Sequence, residues 1–199
     1  GSITSFYKYD SLFNLSELFK SGKIQIEATS FTISEPLSTY IIEPLVYKYA
    51  TDYEKKILKE KYNISKFKIE TVKLERIFVD KIFATEFYYE RNMYGDASKH
   101  LYDITVMFKN ESIGKLIKSK SELRKLIDYK RKEEKLRIGG ISESINIVDF
   151  EYMKLKFDDK LIDAFNKMQK VYVLDEDSKI TIDDVKKTVI ELFEVFKEL

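Results

Sequence analysis

Cysteine and tryptophan are absent from this 199-residue chain, which carries only two prolines, six glycines and one histidine. Without cysteine there is no disulfide framework, no thiolate nucleophile and no Cys-ligated zinc, a usage that fits a reducing compartment. Neither sign of charge is in excess: thirty-five basic residues against thirty-four acidic ones leave a formal charge of +1. Attraction of the whole molecule to a polyanion or a membrane surface is therefore not encoded, although local patches are. No run of about 18 apolar residues occurs, and no basic segment followed by an apolar core opens the chain, so the sequence shows neither a membrane span nor a secretory signal. A cytoplasmic protein is expected. Gly1-Ser2, standing where an initiator methionine would, reads as the scar of a cleaved tag.

What is present is enough apolar material for a core: 44% of residues are hydrophobic and 14% aromatic, which suits one large domain or two small ones. Leu12, Phe13, Leu15, Leu18 and Phe19 recur at helical spacing within residues 3–22 and predict a helix stopped at Ser21-Gly22. Residues 23–33 then alternate strictly, with Ile24, Ile26 and Ala28 on one face and Gln25, Glu27 and Thr29 on the other, which predicts a strand. Residues 40–47 read as a second extended stretch whose Pro44 suits an edge, and residues 67–72 alternate again. From Leu74 onward apolar spacing turns helical, predicting helices at about 74–91, 97–109, 120–136, 159–170 and 181–198. Thr181-Ile182-Asp183-Asp184 opens the last of these like a capping box. Gly139-Gly140 mark the clearest break, with a short strand expected at 145–148. The pattern predicts an α+β protein with a strand-rich portion at 3–72 and a helical domain at 73–199.

Five polar groups stand at the margins of apolar elements. Glu27 projects from the polar face of its strand, either into solvent or into a site. Lys81 lies among Ile77, Phe78, Ile82, Phe83 and Ala84, where a lysine either snorkels along a core or meets phosphate as a point charge. Glu75 and Arg76 come one turn earlier, as a carboxylate favoured by the helix start and an ion-pair former. Asp103 follows Lys99-His100-Leu101-Tyr102, beside the apolar Leu101, Ile104 and Met107, and a carboxylate at such a margin must be paired or functional. His100 lacks a partner for metal ligation in the sequence and is expected to hydrogen-bond structurally. Asp175-Glu176-Asp177 has Asp-x-Asp spacing but sits in a polar loop and reads as a solvated turn. The basic runs between Lys115 and Arg137 are interleaved with acids and read as charged helix faces, or as a tract meeting an RNA backbone.

Val72-Lys73-Leu74-Glu75-Arg76-Ile77-Phe78-Val79-Asp80-Lys81-Ile82-Phe83-Ala84 and Lys99-His100-Leu101-Tyr102-Asp103-Ile104 together resemble the AbiEii/AbiGii toxin family of the nucleotidyltransferase superfamily. Its members read roughly L-x-R-x-F/E-x-K-I-x-A on one helix and R-H-L-Y-D-L on the next. Asp103 follows Lys81 by 22 positions (103 − 81). Ile24-Gln25-Ile26-Glu27 is similar to the family's acidic strand, while the upstream Gly-Ser…Asp-x-Asp motif is lacking here, since Asp10-Ser11-Leu12 has no second carboxylate. The resemblance implies a partial nucleotidyltransferase-like mixed sheet packed on a C-terminal helical bundle. It implies transfer of a nucleotide from a nucleoside triphosphate (NTP) to an acceptor such as tRNA, with Mg2+ as cofactor and a cognate antitoxin as partner. Lys81, Asp103 and Glu27 match catalytic positions, Glu27 and Asp103 metal ligands, and Arg76, Lys81 and Lys99 a nucleotide-binding set in which Lys99 replaces the usual arginine. A chain lacking the Asp-x-Asp pair is expected not to turn over alone, being truncated, half of a split enzyme completed by an upstream polypeptide, or a non-catalytic binding protein that retains the fold.

Overall fold

The structure, a computed structural model, describes residues 2–10, 22–29, 36–173 and 175–199. The chain divides into two compact units, Gly1–Ile33 with Ile77–Leu199, and Ser34–Arg76. The fold is α+β, with the described strands arranged as two separate antiparallel pairs where one mixed sheet was expected.

The first pair joins β1 (Ser2–Lys8) to β2 (Lys23–Thr29), with Thr4 opposite Glu27, and Tyr9 donates to the Gly22 carbonyl at 2.9 Å to close it. Residues 3–8 are thus strand rather than helix, because Ile3, Phe6 and Tyr7 find hydrogen-bonding partners in the alternating segment opposite. The remainder of the helix expected at 3–22 lies in 11–21, outside the described residues, as do residues 30–33 of the expected strand. Ile24 and Ile26 keep about half their surface exposed, so the alternation of β2 records strand pairing more than a buried face.

In the unit Ser34–Arg76, β3 (Leu37–Ile42) pairs with β4 (Phe67–Val72), from Leu37 opposite Val72 to Ile42 opposite Phe67. Pro44 ends the extended stretch instead of continuing it. With φ −55 and no N–H to donate, it is the N-cap of α1 (Leu45–Lys48). The helix that follows, α2 (Asp52–Tyr62), was not expected, although its signal is in the chain as Thr51-Asp52-Tyr53-Glu54. The Thr51 hydroxyl accepts from the Glu54 amide while the Glu54 carboxylate accepts from the Thr51 amide at 2.8 Å, and Asn63 stops the helix in the left-handed region at φ 53.

The helical body begins with α3 (Leu74–Tyr89) and α4 (Tyr94–Phe108), continues through α5 (Glu111–Lys118) and α6 (Lys120–Leu136), and ends with α7 (Asp159–Tyr172) and α8 (Ile182–Lys197). α5 was also unforeseen, and Asn110 caps it by accepting from the Ser112 amide at 2.9 Å. α4 packs against α7 and α8, burying Ala97, Leu101 and Ile104 with Leu161, Phe165, Val185 and Leu192. Thr181 and Asp184 form the expected capping box of α8. α3 is covered on most of its circumference: Phe78, Val79, Ile82, Phe83, Thr85 and Glu86 are all buried. Phe83 meets Phe150 edge to face at 5.5 Å and 81°, a contact worth about 1 kcal/mol beyond its area.

Segment 139–157 is stapled to α3 by polar groups. Gly139 adopts φ 70, and a Cβ on Gly140 would lie 2.1 Å from the Glu134 carbonyl oxygen, which explains the double glycine. A 3₁₀ turn, Ile147–Asp149, stands where a short strand was expected at 145–148, and a second, Glu151–Lys154, follows it. The second turn starts on the Glu86 carboxylate, whose oxygens accept from the Glu151 amide at 2.8 Å and the Tyr152 amide at 3.4 Å, much as an N-cap side chain satisfies free donors. Tyr89 donates its hydroxyl to the Lys156 carbonyl at 2.8 Å and Arg91 donates to the Gly139 carbonyl at 2.7 Å.

Burial pushes the Glu86 carboxyl up from its usual 4.5 to about 7. Between those values the folded chain holds a proton that the unfolded chain has released, so this group's contribution to stability falls as pH rises through the window. Glu86→Gln keeps an acceptor oxygen and removes the titration. Its Tm relative to the parent should climb by on the order of 5 °C between pH 4.5 and 8, and thermal melts across that range showing a constant offset would rule out the titration.

Candidate functional site

Lys81 and Asp103 leave apolar helices at facing edges. Lys81 is followed directly by the buried Ile82 and Phe83 of α3, and Asp103 is bracketed by the buried Leu101 and Ile104 of α4. Their side chains, 27% and 37% exposed, meet as an ion pair of 2.7 Å between Nζ and Oδ2. The pair opens into a cleft of about 600 Å³ whose other side is built from Met168 and Tyr172 of α7 and from the turn holding Asp175 and Ser178.

His100 and Lys99 stand one turn before Asp103, on the same cleft. The His100 ring stacks on Tyr88 of α3 at 5.4 Å and 25°, and its Nδ1 is buried with no hydrogen-bond partner. Burial, aided by the charge of Lys81, pulls its pKa down to about 4, so it faces the cleft as a neutral ring. Lys99 is held at 3.0 Å by Asp96, a hydrogen bond that raises its pKa, and its ammonium lies 4.9 Å from the centre of the Tyr172 ring.

The opposite wall is fixed by two further clasps. Tyr102 donates its hydroxyl to the Ser178 carbonyl at 2.9 Å. The Gln169 side chain donates to the Ile180 carbonyl at 3.0 Å and accepts from the Ile180 amide at 2.9 Å. Asp175 caps the 3₁₀ turn Glu176–Ser178, accepting from the Asp177 amide at 3.3 Å and the Ser178 hydroxyl at 2.7 Å. It is an exposed turn residue, as expected, and it also lines the cleft.

Of the residues singled out in the sequence, Lys81, Asp103 and Lys99 come together here. Glu27 does not line the cleft; it is exposed on β2, where its carboxylate accepts from the Gln25 amide. Arg76 has no exposed surface, which favours its scaffold reading over phosphate contact. Among the described residues no group of three or more His, Cys, Asp or Glu side chains is placed to hold a metal ion. The donors present therefore do not complete a magnesium site within these residues.

Part of the basic tract from Lys115 to Arg137 is paired with acids. Lys115 pairs with Glu111, Lys120 with Glu198 and Lys135 with Glu143, at 2.6, 3.0 and 3.3 Å. Lys130 is buried, 2.7 Å from Glu134, 3.5 Å from Glu133 and 3.7 Å from Asp80. That lysine belongs to a buried ionic cluster rather than a solvated face. Tyr172, Tyr102 and Gln169 were not foreseen as parts of a site. Their sequence contexts are those of ordinary helix residues, and only the packing of α4 on α7 brings them to Lys81.

The chain belongs to the family described as nucleotidyl transferase AbiEii toxin, Type IV TA system, which matches residues 6–189. No curated protein and no solved structure matches it. No helix among the described residues is long and apolar enough to cross a membrane.

A pair this exposed contributes little to folding, typically under about 1 kcal/mol. A double-mutant cycle of Lys81→Met and Asp103→Asn in urea unfolding should give a coupling below about 1 kcal/mol. A coupling above about 2 kcal/mol would assign the pair to the scaffold.

Proposed function

We propose that this chain binds the phosphates of a nucleoside triphosphate at Lys81 and Lys99 and directs a nucleotide to an acceptor such as tRNA, under the control of a cognate antitoxin. Family membership supports a nucleotidyltransferase-like toxin, and the observation that carries the site reading is the 2.7 Å Lys81–Asp103 pair opening into the cleft. An ammonium offers three donors. Asp103 takes one, which fixes the group at the cleft edge and leaves the others for phosphate oxygens. Asp103, held by that contact, is the cleft carboxylate beside the phosphates. The neutral His100 adds no charge that would compete for them.

Divalent metal chemistry is general to nucleotidyl transfer, and its ligands have to come from more carboxylates than this cleft assembles. A non-catalytic protein that keeps the fold and acts on a partner by binding alone is the second reading, favoured by the shortage of metal-holding carboxylates among the described residues.

Titration of the protein with a fluorescent NTP analogue in the presence of magnesium should show weak binding that Lys81→Ala reduces roughly tenfold or more, about the worth of one charge-assisted contact. Lys120→Ala, at an exposed pair with Glu198, should leave it unchanged. Equal losses in the two variants would reduce the interaction to nonspecific electrostatics. With labelled triphosphates and bulk tRNA, the chain alone is expected to give no detectable transfer. Transfer should appear on adding a polypeptide that supplies the Asp-x-Asp pair, and Asp103→Asn should remove it. Robust transfer by the chain alone would establish a complete enzyme instead.

A further inference from the structure

Tyr172 is the last residue of α7 and is 63% exposed. Its ring meets the Lys99 ammonium, 4.9 Å from the ring centre and itself held by Asp96. The ring lines the same cleft as Lys81 and Asp103, with the apolar Met168 and Val173 beside it. The cleft is therefore two-sided in character. Ammonium groups gather on the α4 side, and a flat aromatic surface with apolar flanks lies on the α7 side. The wall behind the ring is tied down by Tyr102 on Ser178 and by the two Gln169 bonds to Ile180. An exposed aromatic next to cations on the same cleft suits a ligand that is aromatic at one end and anionic at the other.

We infer that Tyr172 is a stacking shelf for the nucleobase of a nucleotide whose phosphates lie on Lys81 and Lys99. This rests on the phosphate reading given above. Asp175 accepts from the Asp177 amide and the Ser178 hydroxyl, which holds its turn in place as one wall of the cleft. Stacking recognises the face of a base and tolerates any of the four. The shelf accordingly binds purine and pyrimidine nucleotides without strict selection, and the same face takes the base of an incoming triphosphate or of an acceptor strand.

The chain has no tryptophan, so Tyr172→Trp introduces a single fluorophore at the shelf. Its emission should be quenched by each NTP with magnesium and left unchanged by inorganic tripolyphosphate, which carries charge without a base. A short single-stranded oligoribonucleotide in a parallel titration separates the two sources of base: quenching by NTPs assigns the shelf to the incoming nucleotide, quenching by the oligonucleotide to the acceptor. By calorimetry, Tyr172→Ala should weaken NTP binding by roughly five- to 150-fold, spare tripolyphosphate, and be rescued by Tyr172→Phe. Lys81→Ala should weaken both ligands. If Tyr172→Ala binds NTPs like the parent while Lys81→Ala does not, the shelf is wrong and the phosphate site stands. Equal loss of NTP and tripolyphosphate in Tyr172→Ala also overturns the shelf, because it places the effect on phosphate. Binding of neither ligand by the parent overturns both readings.

Discussion

Most of the architecture of the helical body follows from the enclosure of α3. A helix covered on nearly every side cannot leave a polar group unpartnered, because each would lose its water without compensation. Glu86 is satisfied by the free amides of a 3₁₀ turn, Asp80 joins the buried cluster around Lys130, and Thr85 donates back to the Lys81 carbonyl at 2.8 Å. Lys81 is placed where the enclosure ends. Its stem runs along the core edge and its ammonium emerges at α4, so the burial that holds the body together also aims the lysine.

The cations of the cleft are balanced before any ligand arrives, Lys81 by Asp103 and Lys99 by Asp96. A phosphate binding there competes with carboxylates already in place, and its net affinity is a difference between two ion contacts. That makes for modest binding by charge alone. A stacking surface beside the cations adds an uncharged contribution that salt does not screen, which separates a nucleotide from a free polyphosphate.

Periodicity showed what periodicity can show. The five helices read at 74–91, 97–109, 120–136, 159–170 and 181–198 correspond to α3, α4, α6, α7 and α8, and β2 and β4 were visible as alternation. Short elements escaped for two reasons: α2 is announced by its Thr51 cap more than by a stripe, whereas α5 does carry Ile113, Leu116 and Ile117 at helical spacing but over only eight residues. Pro44 misled because the same residue suits a strand edge and a helix start. Lys81 and Asp103 stood out through the family resemblance, since a charge at the margin of an apolar run reads by itself as a snorkelling or paired side chain as readily as a functional one. Tyr172 did not, because an aromatic at a helix end is common and its meaning depends on the packing of α7 against α4. The buried Lys130 misled for the opposite reason. Within a basic run nothing distinguishes the lysine that turns inward from its neighbours that remain in solvent.

The Gln169 clasp has a kinetic side. Its amide engages the Ile180 backbone at both donor and acceptor, as a neighbouring strand would, so the far end of the connection from α7 to α8 is bonded to α7 itself. Opening the cleft wall at that end means breaking two hydrogen bonds at a residue whose side chain is nearly buried. Both bonds are made by one side chain, so this end of the wall is released in a single step when Gln169 lets go.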